Sequence, residues 1–214
     1  MPDSPTPIGQ DPEQPLGDTA DTEATAAAEA EAVDLAQLAA LTAHEARLYL
    51  DAVTEIASGS APDAALSLTL LATAQVLAMG ARLGAVQDVV LHERYEPDDG
   101  PDSDLIALRT GLANTFEGID EYADLVDPVT STEVTTGSLS TDIAVIAAAL
   151  DHGLKHYAKG HRTEALWWWQ FSYLSDWGER GAMALRVLSG LLAHIRLDAD
   201  ADTVAEAEFD ALHP

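Results

Sequence analysis

The chain is 214 residues long and 47% hydrophobic, with 37 acidic against 10 basic residues and a formal net charge of −27. That much negative charge repels nucleic-acid backbones and anionic membrane surfaces, so neither is expected as a partner. There is no cysteine, which excludes disulfides and thiolate chemistry.

The opening Met1-Pro2-Asp3-Ser4-Pro5 has neither the basic nor the apolar region of a secretory signal, and a cytoplasmic location is the expectation. Residues 1–33 are rich in Pro, Asp, Glu, Thr and Ala, and the first basic residue is Arg47. Without apolar side chains to offset ordering entropy, this stretch is expected to be a disordered acidic tail, with Ala24–Glu31 at most a loose extension of the first helix. A second acidic tail is expected over 199–214. Between them, 34–198 has the length of one domain.

A first helix is predicted from Asp34 to Ser58, with Leu38, Leu41, Leu48, Ala52 and Ile56 near one face and Tyr49 and Val53 flanking it. Gly59-Ser60-Ala61-Pro62 ends it, and Pro62 suits the first turn of the next helix. That helix, to about Leu83, has no charge from Ala64 to Ala81, near the length of a membrane span. Its alanine content, with Ser67, Thr69, Thr73 and Gln75, points instead to a central helix buried by its neighbours. Asp88–Asp104 reads as an acidic loop. A third helix is predicted over Asp104–Val126, with Leu105, Leu108, Leu112, Ile119 and Val126 inward, stopped by Asp127-Pro128. Val129–Gly137 is a loop or a short extended piece.

The fourth helix, Ser140–Lys159, has the cleanest periodicity, with Ile143, Ile146, Ala147, Leu150, Leu154 and Tyr157 on one face, Ser140 as N-cap and Gly160 as C-cap. A fifth begins near Thr163 and reaches Arg196, bent around Gly178 or Gly181. With no convincing strand, the expectation is an all-α, single-domain bundle of about five helices.

Six of the twelve aromatic residues fall between Trp167 and Trp177. On a regular helix, Trp167, Phe171, Leu174, Leu185 and Leu192 form one stripe, and Leu166, Tyr173, Trp177, Leu188 and Ile195 the next, together a wide core face. Trp168 breaks the pattern, because its face continues through Ser172, Ser175, Glu179 and Arg186. It is expected either exposed or covered by the 88–104 loop or the first helix; an exposed Trp would suit a partner surface. Trp169 lies at the flank.

Two sets of side chains carry conceivable metal chemistry. His152 and His156, spaced i, i+4, can present two imidazoles to one ion, with His161 available across the turn; boundary histidines are the plainer reading. Glu117, Asp120, Glu121 and Asp124 form two Glu-x-x-Asp pairs on the predicted third helix. Such pairs hold Mg²⁺ in all-α nucleoside-triphosphate pyrophosphohydrolases, but a second acidic pair on a facing helix is missing and a solvated face is the default. No phosphate-binding glycine loop, dinucleotide fingerprint or nucleophile elbow is present.

The segment Tyr157–Gly178, with Gly80-Ala81-Arg82-Leu83-Gly84, Glu93-Arg94-Tyr95-Glu96-Pro97, Val126-Asp127-Pro128 and Ala193-His194-Ile195-Arg196-Leu197, resembles an uncharacterised actinobacterial family, domain of unknown function 5063. The resemblance covers about Leu48 to Asp198. It implies a helical cytoplasmic domain and brings no activity or catalytic residue. Tyr157-x-x-Gly160-x-x-x-Glu164-Ala165-Leu166 is also similar to the helix–turn–helix of tetratricopeptide repeats, without their period.

These features point first to a non-enzymatic interaction or accessory module, with a surface around Trp168, Trp169, Arg162 and Glu164 for a protein partner or a second copy, and no cofactor. The alternative is a Mg²⁺-dependent phosphohydrolase using Glu117, Asp120, Glu121 and Asp124.

Overall fold

A computed structural model of the chain describes residues 17–91, 105–127 and 129–197, the side chains of 17–29 and 31 excepted. Helix α1 spans Gly17–Ala57; a 3-10 turn, Pro62–Ala64, leads into α2, Ala65–Ala85; α3 spans Ile106–Thr115. Strands β1, Glu121–Leu125, and β2, Val134–Ser138, pair antiparallel from Glu121↔Ser138 to Leu125↔Val134. Then come α4, Leu139–Ala158; α5, Arg162–Ser172; a π-helical turn, Tyr173–Trp177; and α6, Gly178–Leu197. Because α5, the π turn and α6 follow without a break, the described residues form five helical rods and one small hairpin, an all-α domain. Residues 1–16 of the tail expected at 1–33, the tail expected at 199–214, and the part of the loop from His92 to Asp104 lie outside the described residues.

Helix α1 begins at Gly17 rather than Asp34, so the expected tail carries helical backbone from there to Val33. Its Ala- and Glu-rich sequence has high helix propensity, which acts without any core. From Leu38 on, the buried face is rotated from the predicted one. Ala39, Ala43, Ala46, Tyr49, Val53 and Ile56 point inward, while Leu41 and Leu48 are exposed. A wheel weighted by side-chain size favours leucines; alanines win because they let α1 approach its neighbours closely. Tyr49 Oη donates to the Ile143 carbonyl at 3.3 Å, and Thr115 Oγ1 to the Ile56 carbonyl at 3.3 Å, tying α1 to α4 and α3.

The third helix is corrected most. It stops at Thr115, Phe116 turns inward to full burial, and the chain leaves at Gly118 with φ +84°. Glu121–Leu125 is a strand, paired with the Thr- and Val-rich Val134–Ser138, whose β-branched residues suit it. Between them, Asp127 accepts hydrogen bonds from the Val129 and Thr130 amides, an Asx turn.

Helix α4 is the central rod, with Ile143, Ile146, Ala147 and Leu150 fully buried as predicted. It packs against α3, α5 and α6. Its N-cap is Ser138, not Ser140: the Ser138 hydroxyl accepts from the Thr141 amide at 3.3 Å. Helix α2 is peripheral rather than central. One face, including Ala72, Val76, Met79 and Leu83, is buried, while Leu68 and Leu71 are 43% and 55% exposed. By length and composition, Pro62–Ala85 is apolar enough to cross a membrane; here it packs against α5 and α6.

The aromatic rod divides differently from a regular wheel. Leu166, Trp177 and Leu188 are buried as predicted, but so is Trp169, whereas Phe171 and Leu174 are 51% and 61% exposed. Gln170 is the reason. It counts as polar on a wheel, yet it is buried, its amide donating to the carbonyls of Leu83 (2.9 Å) and Gln87 (3.2 Å) while its oxygen accepts from the Val89 amide (2.8 Å). The core face is therefore centred on Ala165, Leu166, Trp169 and Gln170. The π turn then resets the phase, so stripes extrapolated from α5 into α6 lose register.

Candidate functional site

Helix α4 ends in a Schellman motif. The Gly160 amide donates to the Tyr157 carbonyl at 3.0 Å and the His161 amide to the His156 carbonyl at 3.1 Å, with Gly160 at φ +91°, a conformation that favours glycine. In this motif the residue after the glycine folds back over the residue that begins the last turn, so His161 is returned to His156. His161 is also the N-cap of α5, and Glu164 stands in that helix's first turn, three residues on. The pattern His156-x-x-x-Gly160-His161-x-x-Glu164 thus assembles two imidazoles and a carboxylate from local backbone rules alone.

Distances bear this out. His156 Nδ1 lies 3.1 Å and His161 Nδ1 3.3 Å from the same oxygen, Glu164 Oε2. One ligand atom of each residue falls within 4.8 Å of the others. His156 and Glu164 are largely buried, their side chains 9% and 14% exposed, and His161 faces solvent at 41%. His156 Nε2 is 3.3 Å from His152 Nε2.

Trp168 joins this group from behind. Its ring centroid is 4.2 Å from that of His152, and its indole N–H donates to the Ala149 carbonyl at 3.0 Å. It is half-buried against α4; the 88–104 loop, the other cover expected for it, lies from His92 on outside the described residues. The next residue repeats the contact one step along: Trp169 N–H donates to the Leu150 carbonyl at 3.1 Å, with the ring wholly buried over Gly153. Of the predicted surface residues, Arg162 is exposed, Glu164 belongs to the histidine cluster and Trp169 is core. His152 and His156 do meet, His161 lies across the turn from them, and the companion not foreseen beside the histidines is Glu164. The signal was present as a C-cap motif ending on histidine.

The four carboxylates do not converge. Glu117 is exposed in the turn after α3, and Glu121 and Asp124 lie on opposite faces of β1. Asp120 has another task, accepting from the Ser140 amide (2.7 Å), Ser140 Oγ (2.8 Å) and Ser138 Oγ (3.0 Å) at the N-terminus of α4. The phosphohydrolase alternative has no clustered carboxylates among the described residues.

A second polar group was not anticipated. Buried Asp142 accepts from the Tyr122 hydroxyl and pairs with Arg180 at 3.2 Å; Arg180 also reaches Asp176 at 2.6 Å. Burial raises the Asp142 pKa, opposed by those two hydrogen bonds. The Tyr122 pKa is also raised, by burial and then by Asp142, and Arg180 is raised chiefly by its hydrogen bond to Asp176.

Two apolar surfaces stand out among the described residues. Trp167 stacks on Phe171 with centroids 5.0 Å apart and planes 5° from parallel, beside exposed Leu174. Between α1 and α2 runs an open groove of about 330 Å³, lined by Leu48, Tyr49, Ala52, Ala72 and Val76 and by the Glu45–Arg82 ion pair.

A family model described as Domain of unknown function (DUF5063) matches residues 33–194. No curated protein matches the sequence. Among solved structures, protein BF1032 from Bacteroides fragilis is similar with a TM-score of 0.57 and 15% identity, over 75% of this chain and 92% of that one. At that identity the likeness is one of fold.

Proposed function

The chain belongs to the family described as Domain of unknown function (DUF5063), and we propose that it works as a non-enzymatic interaction module that receives an amphipathic helix in the groove between α1 and α2. The observation that carries this reading is the open face of α2. A helix without charge from Ala64 to Ala81 leaves Leu68 and Leu71 exposed beside the groove that Leu48, itself 53% exposed, helps to line. A groove between two helices lined by apolar side chains from both suits the apolar face of a third helix, and exposed apolar surface marks interaction sites. With 37 acidic residues against 10 basic, the domain favours a partner helix flanked by Lys and Arg.

The test is titration with an amphipathic, lysine-flanked model helix at low salt, followed by NMR amide shifts. Saturable shifts at Leu48, Leu68 and Leu71, abolished by Leu71→Glu, are the expected outcome. Shifts centred on Trp167, Phe171 and Leu174 would transfer the docking role to the strip on α5 beside Trp168, a second reading favoured by the parallel ring stack there. Absence of saturable binding would sink both.

A further inference from the structure

The histidine cluster shares no residue with the groove, and its geometry carries an inference of its own. We infer that His156 Nδ1, His161 Nδ1 and Glu164 Oε2 form a three-ligand site for a divalent cation of the zinc type, with His152 and Trp168 as positioning residues behind it.

Spacing is the first argument. Ligand atoms held 2.0–2.1 Å from one tetrahedral ion lie about 3.3 Å from one another. The two nitrogen-to-oxygen separations are 3.1 and 3.3 Å, and both nitrogens converge on a single carboxylate oxygen. Donor chemistry is the second. Two imidazoles and one carboxylate are a His₂Glu set, suited to zinc with a fourth position left for water, and His161 supplies the solvent-facing side. Hard Mg²⁺, which prefers oxygen ligands, does not fit.

The surroundings supply the third argument. When Nδ1 of His156 binds the ion, Nε2 carries the ring proton and faces His152 Nε2 at 3.3 Å. An outer hydrogen bond of this kind fixes the tautomer and ring plane of a metal-bound histidine. His152 is backed by the Trp168 ring, and Trp168 is anchored to the Ala149 carbonyl. The ligands sit at the last turn of α4, the connecting turn and the first turn of α5, so the backbone presets them and little entropy is lost on binding. The net charge of −27 concentrates cations around the whole domain.

The experiment uses the full chain without a polyhistidine tag. One equivalent of Co²⁺ should develop the visible absorption of a four-coordinate ion, displaced by one equivalent of Zn²⁺ and unaffected by Mg²⁺. His161→Ala, at an exposed position, should weaken Zn²⁺ binding by at least about 100-fold while leaving the metal-free melting temperature unchanged. Glu164→Gln, which keeps the side-chain volume, should do the same to binding and provides a second variant if His161→Ala fails to fold. His152→Ala should weaken binding by about 10–100-fold, and His194→Ala should leave it unchanged. No stoichiometric Co²⁺ spectrum, or Zn²⁺ binding that survives both His161→Ala and Glu164→Gln, overturns the site and leaves a hydrogen-bonded helix junction.

Discussion

Gly153 lies where a Cβ would stand 2.1 Å from Trp169 Nε1, too close for any side chain without moving a wholly buried ring. In an exposed helix, Gly→Ala gains about 1 kcal/mol. Here overpacking reverses the sign, and Gly153→Ala should lower stability by about 2 kcal/mol, seen as a melting temperature lower by roughly 4–8 °C. A rise would mean that the α4–α5 contact is loose. Thr73 gives the opposite case. Its Oγ1 is buried with no hydrogen-bond partner among the described residues, so Thr73→Val should stabilise the fold by about 1 kcal/mol in urea denaturation. Tyr49 makes stability depend on alkaline pH. Burial first, and the charge of Asp142 second, raise its pKa above the ordinary 10.0. Above pH 10 the unfolded chain loses this proton while the folded chain keeps it. Stability therefore falls with rising pH, by about 1.4 kcal/mol per pH unit. Tyr49→Phe should flatten that alkaline slope, leaving the part due to Tyr122; parallel slopes for wild type and variant would refute the assignment.

Among the elements, α4 was the most legible, because its apolar residues repeat at helical spacing and it touches partners on several sides. Its N-terminus was not. The cap is shared between Ser138, at the end of β2, and Asp120, just before β1, and the hairpin that unites them is invisible to a helical wheel. Asp120→Ala should cost about 2 kcal/mol, since it removes a carboxylate from three donors at a helix N-terminus. Glu117→Ala, exposed, should cost almost nothing. Equal costs in urea denaturation would show that the cap is not formed. The aromatic rod was half legible. Leu166, Trp177 and Leu188 followed periodicity, while Phe171 and Leu174 did not, because buried Gln170 moved the core face and the π turn broke the phase.

At the scale of the whole molecule, the net charge acts on every contact at once. With a formal net charge of −27, the folded chain repels itself, and raising ionic strength from about 0.01 M to 0.15 M shortens the screening length from about 30 to 8 Å. Melting temperature should rise by roughly 2–4 °C over that range, the equivalent of about 1 kcal/mol. A flat or falling profile would indicate that the acidic groups are too far apart, or too well paired, to matter. The same field weakens association with another copy of the chain and strengthens it with a basic partner.

The sequence by itself determined the helical class, the buried face of α4, the turn at Gly160 and the acidic charge, since each depends on local propensity, periodicity or counting; it set α2 rather than α4 at the centre. Tertiary structure decided which faces turned inward: alanines rather than leucines on α1, and Trp169 with Gln170 rather than Trp167 with Phe171 on α5. Polarity along one helix cannot foresee that a glutamine will satisfy three backbone groups of another segment, or that small residues will win a contact by closeness. Tertiary contact between α4 and α5 also set Trp168 against His152, whereas His152, His156, His161 and Glu164 meet through helical spacing and the Gly160 turn.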